Sequence, residues 1–190
     1  MLVLASASPR RQELLKAAGI SFEIRPADVP EIPYSDEPPR AFAERMARDK
    51  ALAVTAQQPD DYILGADTIV IVDHQILGKP RDSSDAARML RLLSGRSHQV
   101  ITAVCLLDPK LTREAPIDVR SETTLVTMDA LSEADISAYV ANGEPMDKAG
   151  AYAIQGVASR WIPRIEGDYA NVVGLPVSLV FKMLKEHGVL

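Results

Sequence analysis

Cysteine, histidine and aromatic residues are scarce in this chain, and each scarcity closes off a class of function. Cys105 is the only cysteine among 190 residues, which excludes an intramolecular disulfide. Its neighbours Val104 and Leu106 place it in a core strand, where it packs, and a cytoplasmic setting is the matching expectation. The three histidines, His74, His98 and His187, lack the ligand spacing of a histidine-built zinc site. Aromatics make up 5%, too few for an extended base-stacking platform. Positive charge is also in short supply: 21 Lys and Arg against 26 Asp and Glu leave a net charge of −5. General binders of nucleic acid or anionic membrane carry a basic surplus instead. Apolar runs are brief. Leu2-Val3-Leu4 ends too soon for the hydrophobic region of a signal peptide, and no run approaches membrane-spanning length. No nucleic-acid and no membrane partner is therefore expected.

What is present is an ordinary globular composition, 47% hydrophobic and 25% charged, long enough for one domain or one domain with two lobes. Leu2 to Leu4 read as a buried strand. Pro9 suits the first position of a helix capped by Ser8 and stopped at Gly19. Ser21 to Arg25 read as extended, Pro26 to Pro39 as an ordered surface loop, and Ala41 to Ala56 as helix. Tyr62 to Val72 is β-branched and apolar except for Asp67, with Asp73-His74 turning it into a hairpin with Gln75 to Leu77. A helix is expected over Ser83 to Leu93, strands over Val100 to Leu107 and Val119 to Val126, and a capping box at Ser132 to Asp135 opening a helix to Ala141. Trp161 to Ile165 read as a strand before a final helix. The class is α/β, with a mixed sheet that includes an antiparallel hairpin.

Several residues are suited to chemistry, each with a plainer reading beside it. The strand, small-residue turn and helix at residues 1–15 place Ser8, Arg10 and Arg11 at a helix N-terminus, an anion-binding layout; the same pattern also describes a capped helix with two solvated arginines. Asp67, flanked by Ile63, Leu64, Ile69 and Val70, loses hydration and must gain a partner. It can deprotonate a water or hold a divalent ion, or it can sit at a bulge paired with a lysine. Lys79, in Leu77-Gly78-Lys79-Pro80, fails the P-loop pattern but lies across the hairpin from Asp67, either meeting a phosphate as a point charge or standing exposed. Glu31 lies in the proline-rich loop and Lys50 on a helix. In Asp147 to Gly156 small residues allow close approach, and Gln155 offers an amide to a base edge; a tight structural turn is the alternative.

Taken together, LASASPRRQELL at 4–15, ARDKA at 47–51, ILGADTIV at 63–70, LGKPRD at 77–82, LSGRSHQVITAV at 93–104, GEPMDKAGAYAIQG at 143–156 and NVVGLP at 171–176 closely resemble the Maf family of nucleotide pyrophosphatases. The branch resembled is the one acting on dTTP and UTP. The resemblance implies a single domain over 1–190 with a mixed, elongated sheet, flanking helices and a cleft between two lobes, similar to the inosine triphosphate pyrophosphatases. It implies hydrolysis between the α and β phosphates, with a divalent cation, Mg or Mn. Asp67 would then be the general base and stand with Glu31 near the metal. Ser8, Arg11, Lys50 and Lys79 would hold phosphates, while Arg10, Thr68 and Gln155 would set base preference. The branch acting on 7-methylated GTP instead tends to carry an aromatic residue, Gln and Glu at those last three positions. The implied partner is a small-molecule nucleotide, with pairing into a homodimer left open. Two rivals are a nucleotide-binding regulator of cell division or growth that needs no catalysis, and a nucleic-acid-binding module.

Overall fold

Apolar strand segments alternate with helices along the chain, and local residues account for most of the boundaries. The structure is a computed structural model that describes residues 1–55, 57, 60–109 and 117–190. Strand β1 is Leu2–Leu4 and helix α1 is Pro9–Ala17. Pro9 occupies the first turn, where its missing N–H leaves no acceptor unpaired, and Gly19 takes a φ of 70° just beyond the helix. Strand β2 is Glu23–Ile24, shorter than the extended run expected over 21–25. Helix α2 is Pro39–Thr55; Ala56, expected to end it, lies outside the described residues. Strand β3 is Tyr62–Val72 and β4 is Gln75–Leu77. Asp73 and His74 between them adopt φ of 48° and 63°, the backbone of a tight hairpin turn.

Helix α3 is Ser83–Leu93, capped by the Asp82 carboxylate, which accepts from the Asp85 N–H. Strands β5, Ser97–Leu107, and β6, Asp118–Thr127, both run beyond the segments expected. Helix α4, Glu133–Ala141, opens on the capping box formed by Ser132 and Asp135. The strand expected over Trp161 to Ile165 begins only at Arg164. Val157–Trp161 wind into a 3₁₀ turn, and the pairing strand β7 is Arg164–Glu166. Pro163 carries no N–H for a ladder, and the Trp161 ring packs edge-on to Tyr139 at 5.6 Å. Helices α5, Tyr169–Val173, and α6, Val177–Glu186, follow.

The sheet is seven-stranded and mixed, in the order β2-β1-β3-β5-β6-β7, with β4 beside β3. β1 is parallel to both β2 and β3, with Leu2 opposite Tyr62 and Leu4 opposite Leu64. β4 is antiparallel to β3, with Val70 opposite Leu77, and β7 is antiparallel to β6. The chain divides into two compact units, one made of Met1–Asp67, Thr102–Glu122 and Gly174–Leu190, the other of Thr68–Ile101 and Thr123–Val173. The first buries Leu4, Leu15, Leu64, Leu106, Leu175 and Met183 in its core. The second buries Val70, Leu90, Leu93, Val126, Met128 and Ile136. Among the described residues, no helix is long and apolar enough to cross a membrane.

Candidate active site

Helix α2 presents Ala43, Ala47 and Ala51, each with no exposed surface, at four-residue spacing, so they share one face. Opposite them stands Gly65 on β3. A Cβ at Gly65 would fall 2.1 Å from the Ala47 carbonyl oxygen and 2.9 Å from the Ala51 Cβ, so helix and strand approach as closely as they do only because both surfaces are small. Lys50 and Asp67 are the next chemical groups along these two elements. The close approach puts the Lys50 Nζ 2.6 Å from Asp67 Oδ1, and the same ammonium donates to Glu31 Oε1 at 2.6 Å.

Asp67 is 5% exposed, and β3 runs through it without a break. The lysine partner expected for a buried carboxylate is therefore present, but it comes from α2 rather than from the hairpin. Burial is the largest influence on the Asp67 carboxyl and pushes its pKa up; Lys50 and Arg11 oppose the rise, and Glu31 adds to it. A carboxylate poised this way between desolvation and cations is suited to exchange a proton.

Arg11 is half-buried in the first turn of α1. Its guanidinium donates to the carbonyls of Gly174 at 2.8 Å and Ala66 at 2.9 Å, and to the Ser6 hydroxyl at 3.2 Å. Burial lowers its pKa while Asp67 and Glu31 raise it. Its positive charge thus faces the carboxylates while its donors tie the β1–α1 turn to the residue preceding Asp67. Ser8 stands at the N-cap of α1, but its side chain does not cap the helix; its N–H donates to the Ser6 hydroxyl at 3.2 Å. Arg10 lies half-buried in the first turn of the helix.

Glu31 reaches Lys50 from a loop that Arg45, also on α2, holds in place. The Arg45 guanidinium donates to both Glu37 oxygens at 2.6 Å and to the Ile32 carbonyl at 3.0 Å, and lies 3.9 Å from the Tyr34 ring centroid. Arg45 holds the Glu37 carboxyl down at about 2. Neither Arg45 nor Glu37 stands out from sequence, because their pairing spans an irregular proline-rich loop. Among the described residues no group of three or more His, Cys, Asp or Glu could hold a metal. Glu31 and Asp67 nonetheless converge on one cationic point, and a pair of carboxylates suits a hard divalent ion that completes its shell with phosphate oxygens and water.

The remaining expected residues belong to the second unit. Thr68 follows Asp67 on β3 and so points to the opposite face of the strand. Lys79 is exposed just after β4. The Gly78 carbonyl beside it accepts from the Gly150 N–H at 3.1 Å. Gly150 has a φ of 69° and is so close to β3 that a Cβ there would lie 2.9 Å from Val70 Cγ2, which is the close approach expected of this small-residue stretch. Gln155 is exposed on a turn between the 3₁₀ segments Ala149–Ala151 and Val157–Trp161.

The sequence model of the Maf-like protein family matches residues 1–187. A protein of Koribacter versatilis named dTTP/UTP pyrophosphatase is 53% identical over 189 residues, spanning 100% of this chain and 95% of that one. One of the same name from Syntrophomonas wolfei is 51% identical over 185 residues, spanning 97% and 96%. A solved structure titled nucleoside-triphosphatase / dITP/XTP pyrophosphatase, from Mycobacterium abscessus, shares 18% identity at a TM-score of 0.41, covering 68% of this chain and 74% of that one.

Proposed function

Because the chain belongs to the Maf-like protein family, we propose that it is a nucleoside triphosphate pyrophosphatase acting on dTTP and UTP, or on modified pyrimidine nucleotides, with residues 1–190 working as one catalytic domain. The observation that carries this reading is Asp67, buried, with a raised pKa, and held by Lys50 beside Glu31. The names of the relatives support the choice of substrate.

In the proposed reaction Asp67 takes a proton from water as the water oxygen bonds to the α-phosphorus. The bond from that phosphorus to the α–β bridging oxygen breaks, and pyrophosphate leaves. Lys50 fixes the orientation of the carboxylate. Ser8, Arg11, Lys50 and Lys79 are assigned to the phosphates, and Arg10, Thr68 and Gln155 to the choice of base. Glu31 and Asp67 would hold Mg or Mn, which when bound neutralises phosphate charge. A regulator that only binds nucleotide has no use for a desolvated carboxylate of this kind. The proposed partner is a small-molecule nucleotide rather than nucleic acid or membrane, the proposed setting is the cytoplasm, and a homodimer is the assembly to test by sedimentation.

A panel of nucleoside triphosphates assayed for pyrophosphate release, with and without Mg or Mn, tests class, substrate and cofactor together. dTTP and UTP should lead the panel, and hydrolysis should require the metal. Faster turnover of 7-methyl-GTP would overturn the assignment of the base-selecting residues.

A further inference from the structure

Behind the turn that carries Gln155 lies a hydrogen-bonded pair to which the proposed reaction gives no part. Tyr139, on α4, is 1% exposed. Its hydroxyl donates to Glu144 Oε1 at 2.7 Å and accepts the Ala153 N–H at 3.1 Å. The Glu144 carboxylate in turn accepts the Val157 N–H at 3.1 and 3.2 Å from its two oxygens. The backbone is thereby anchored on both sides of Gln155 to a single phenol–carboxylate pair. Between the anchors, the Gly156 N–H closes onto the Ala153 carbonyl at 3.0 Å. Gly156 presses so closely on the pair that a Cβ there would lie 2.1 Å from Glu144 Oε1. Burial and the bond to Glu144 both raise the pKa of the Tyr139 hydroxyl, so it remains a donor.

We propose that Tyr139 and Glu144 are positioning residues for base selection, holding the turn at 153–157 so that the Gln155 amide is presented in one orientation to the base of the nucleotide. The inference rests on Gln155 acting as a base reader. A hydrogen-bonding side chain discriminates only when its backbone is held to within about 0.5 Å. Amides donating to a carboxylate make stronger bonds than those donating to a neutral acceptor. An exposed glutamine on an unanchored turn would swing between partners; here the anchors lie behind it and leave its side chain outermost.

The test compares kcat/KM for dTTP and dATP in the wild type, Tyr139→Phe, Glu144→Gln and Gln155→Ala. Tyr139→Phe keeps the ring against Trp161 and removes one bridging hydroxyl. It should lower the dTTP-to-dATP ratio about three- to tenfold, the worth of one hydrogen bond, through a higher KM for dTTP and with little change for dATP. Combining it with Gln155→Ala should add nothing further to the loss of ratio, because both substitutions disable the same contact. An equal slowing with both nucleotides, an unchanged ratio, or fully additive losses would overturn the proposal. If Glu144→Gln does not fold, Tyr139→Phe alone decides. A wild-type ratio near one, seen before any substitution, marks the failure of the pyrimidine reading itself and removes the basis for the proposal with it.

Discussion

Asp67 and Lys50 are 5% and 9% exposed in the first unit, whereas Lys79 and Gln155, assigned to the same substrate, are exposed in the second. The first unit withdraws the Asp67 and Lys50 charges from water, and a desolvated carboxylate's proton affinity responds strongly to its neighbours. The second leaves exposed the two residues proposed for recognition, and buried Tyr139 with half-buried Glu144 holds the backbone on either side of Gln155. Under the proposed roles, chemistry and recognition make opposite demands on burial. A base is tuned by desolvation, while a reader of the substrate must be reachable and needs rigidity from behind.

Asp67→Asn is the most severe way to break this contrast. It should lower kcat for pyrophosphate release about 10²- to 10⁴-fold, the usual contribution of a general base, with the circular dichroism spectrum unchanged. Near-wild-type turnover would remove the catalytic half of the comparison. Lys50→Met leaves the Asp67 charge buried without its cation and should cost about 3–5 kcal/mol in denaturant unfolding. Lys79→Met should change stability by no more than about 0.5 kcal/mol while raising KM. Equal stability losses from the two lysines would erase the distinction between a buried and an accessible cation.

The second unit also holds a desolvated imidazole, His98, which is 2% exposed and bonded through Nε2 to the Tyr152 hydroxyl at 2.7 Å. Burial lowers its pKa from 6.5 to about 4. The folded state therefore resists protonation that the unfolded chain accepts. The stability this group permits is complete above pH 6.5 and is lost as pH falls towards 4. Thermal unfolding followed across that window should show a loss of up to about 3 kcal/mol, and His98→Gln should flatten it. An unchanged slope in the variant would show that other groups cause the loss.

A further substitution probes how the first unit assembles the Lys50–Asp67 pair. Gly65→Ala places a Cβ against the Ala47 carbonyl, so α2 must shift, at about 1–3 kcal/mol. Activity should fall more than stability alone explains, because the Lys50–Asp67 contact moves with the helix. Full activity with lowered stability would show that the contact tolerates displacement.

Elements whose ends are set by neighbouring residues were legible in the sequence. Ser94-Gly95 ends α3, and Ser132 with Asp135 opens α4, because caps act within a turn of the residues that form them. Trp161 to Ile165 misled because its β-like composition is overridden by Pro163 and by ring packing on Tyr139, a contact between distant segments. Asp67 was conspicuous as the one carboxylate in an apolar strand. Its dependence on Lys50 was not, and the signals that pointed to it, Gly65 inside the strand and alanines every fourth residue on α2, bear on packing distance rather than on charge. Glu144 was within view in Gly143-Glu144-Pro145, yet nothing local joins it to Tyr139 or Val157.

Composition and short-range pattern were enough to establish a mixed α/β chain, the strand carrying Asp67, and the helix ends, because hydrophobic periodicity and capping are properties of adjacent residues. The pairing of Lys50 with both Asp67 and Glu31, the commitment of Arg11 to the carbonyls of Ala66 and Gly174, and the anchoring of the Gln155 turn on Tyr139 and Glu144 were decided by the tertiary structure. Each joins groups on different elements, and side chains from separate elements meet only once strands have paired and helices have settled on them. The electrostatic environment that separates a base from an ordinary carboxylate is likewise created by that burial and exists nowhere in the extended chain.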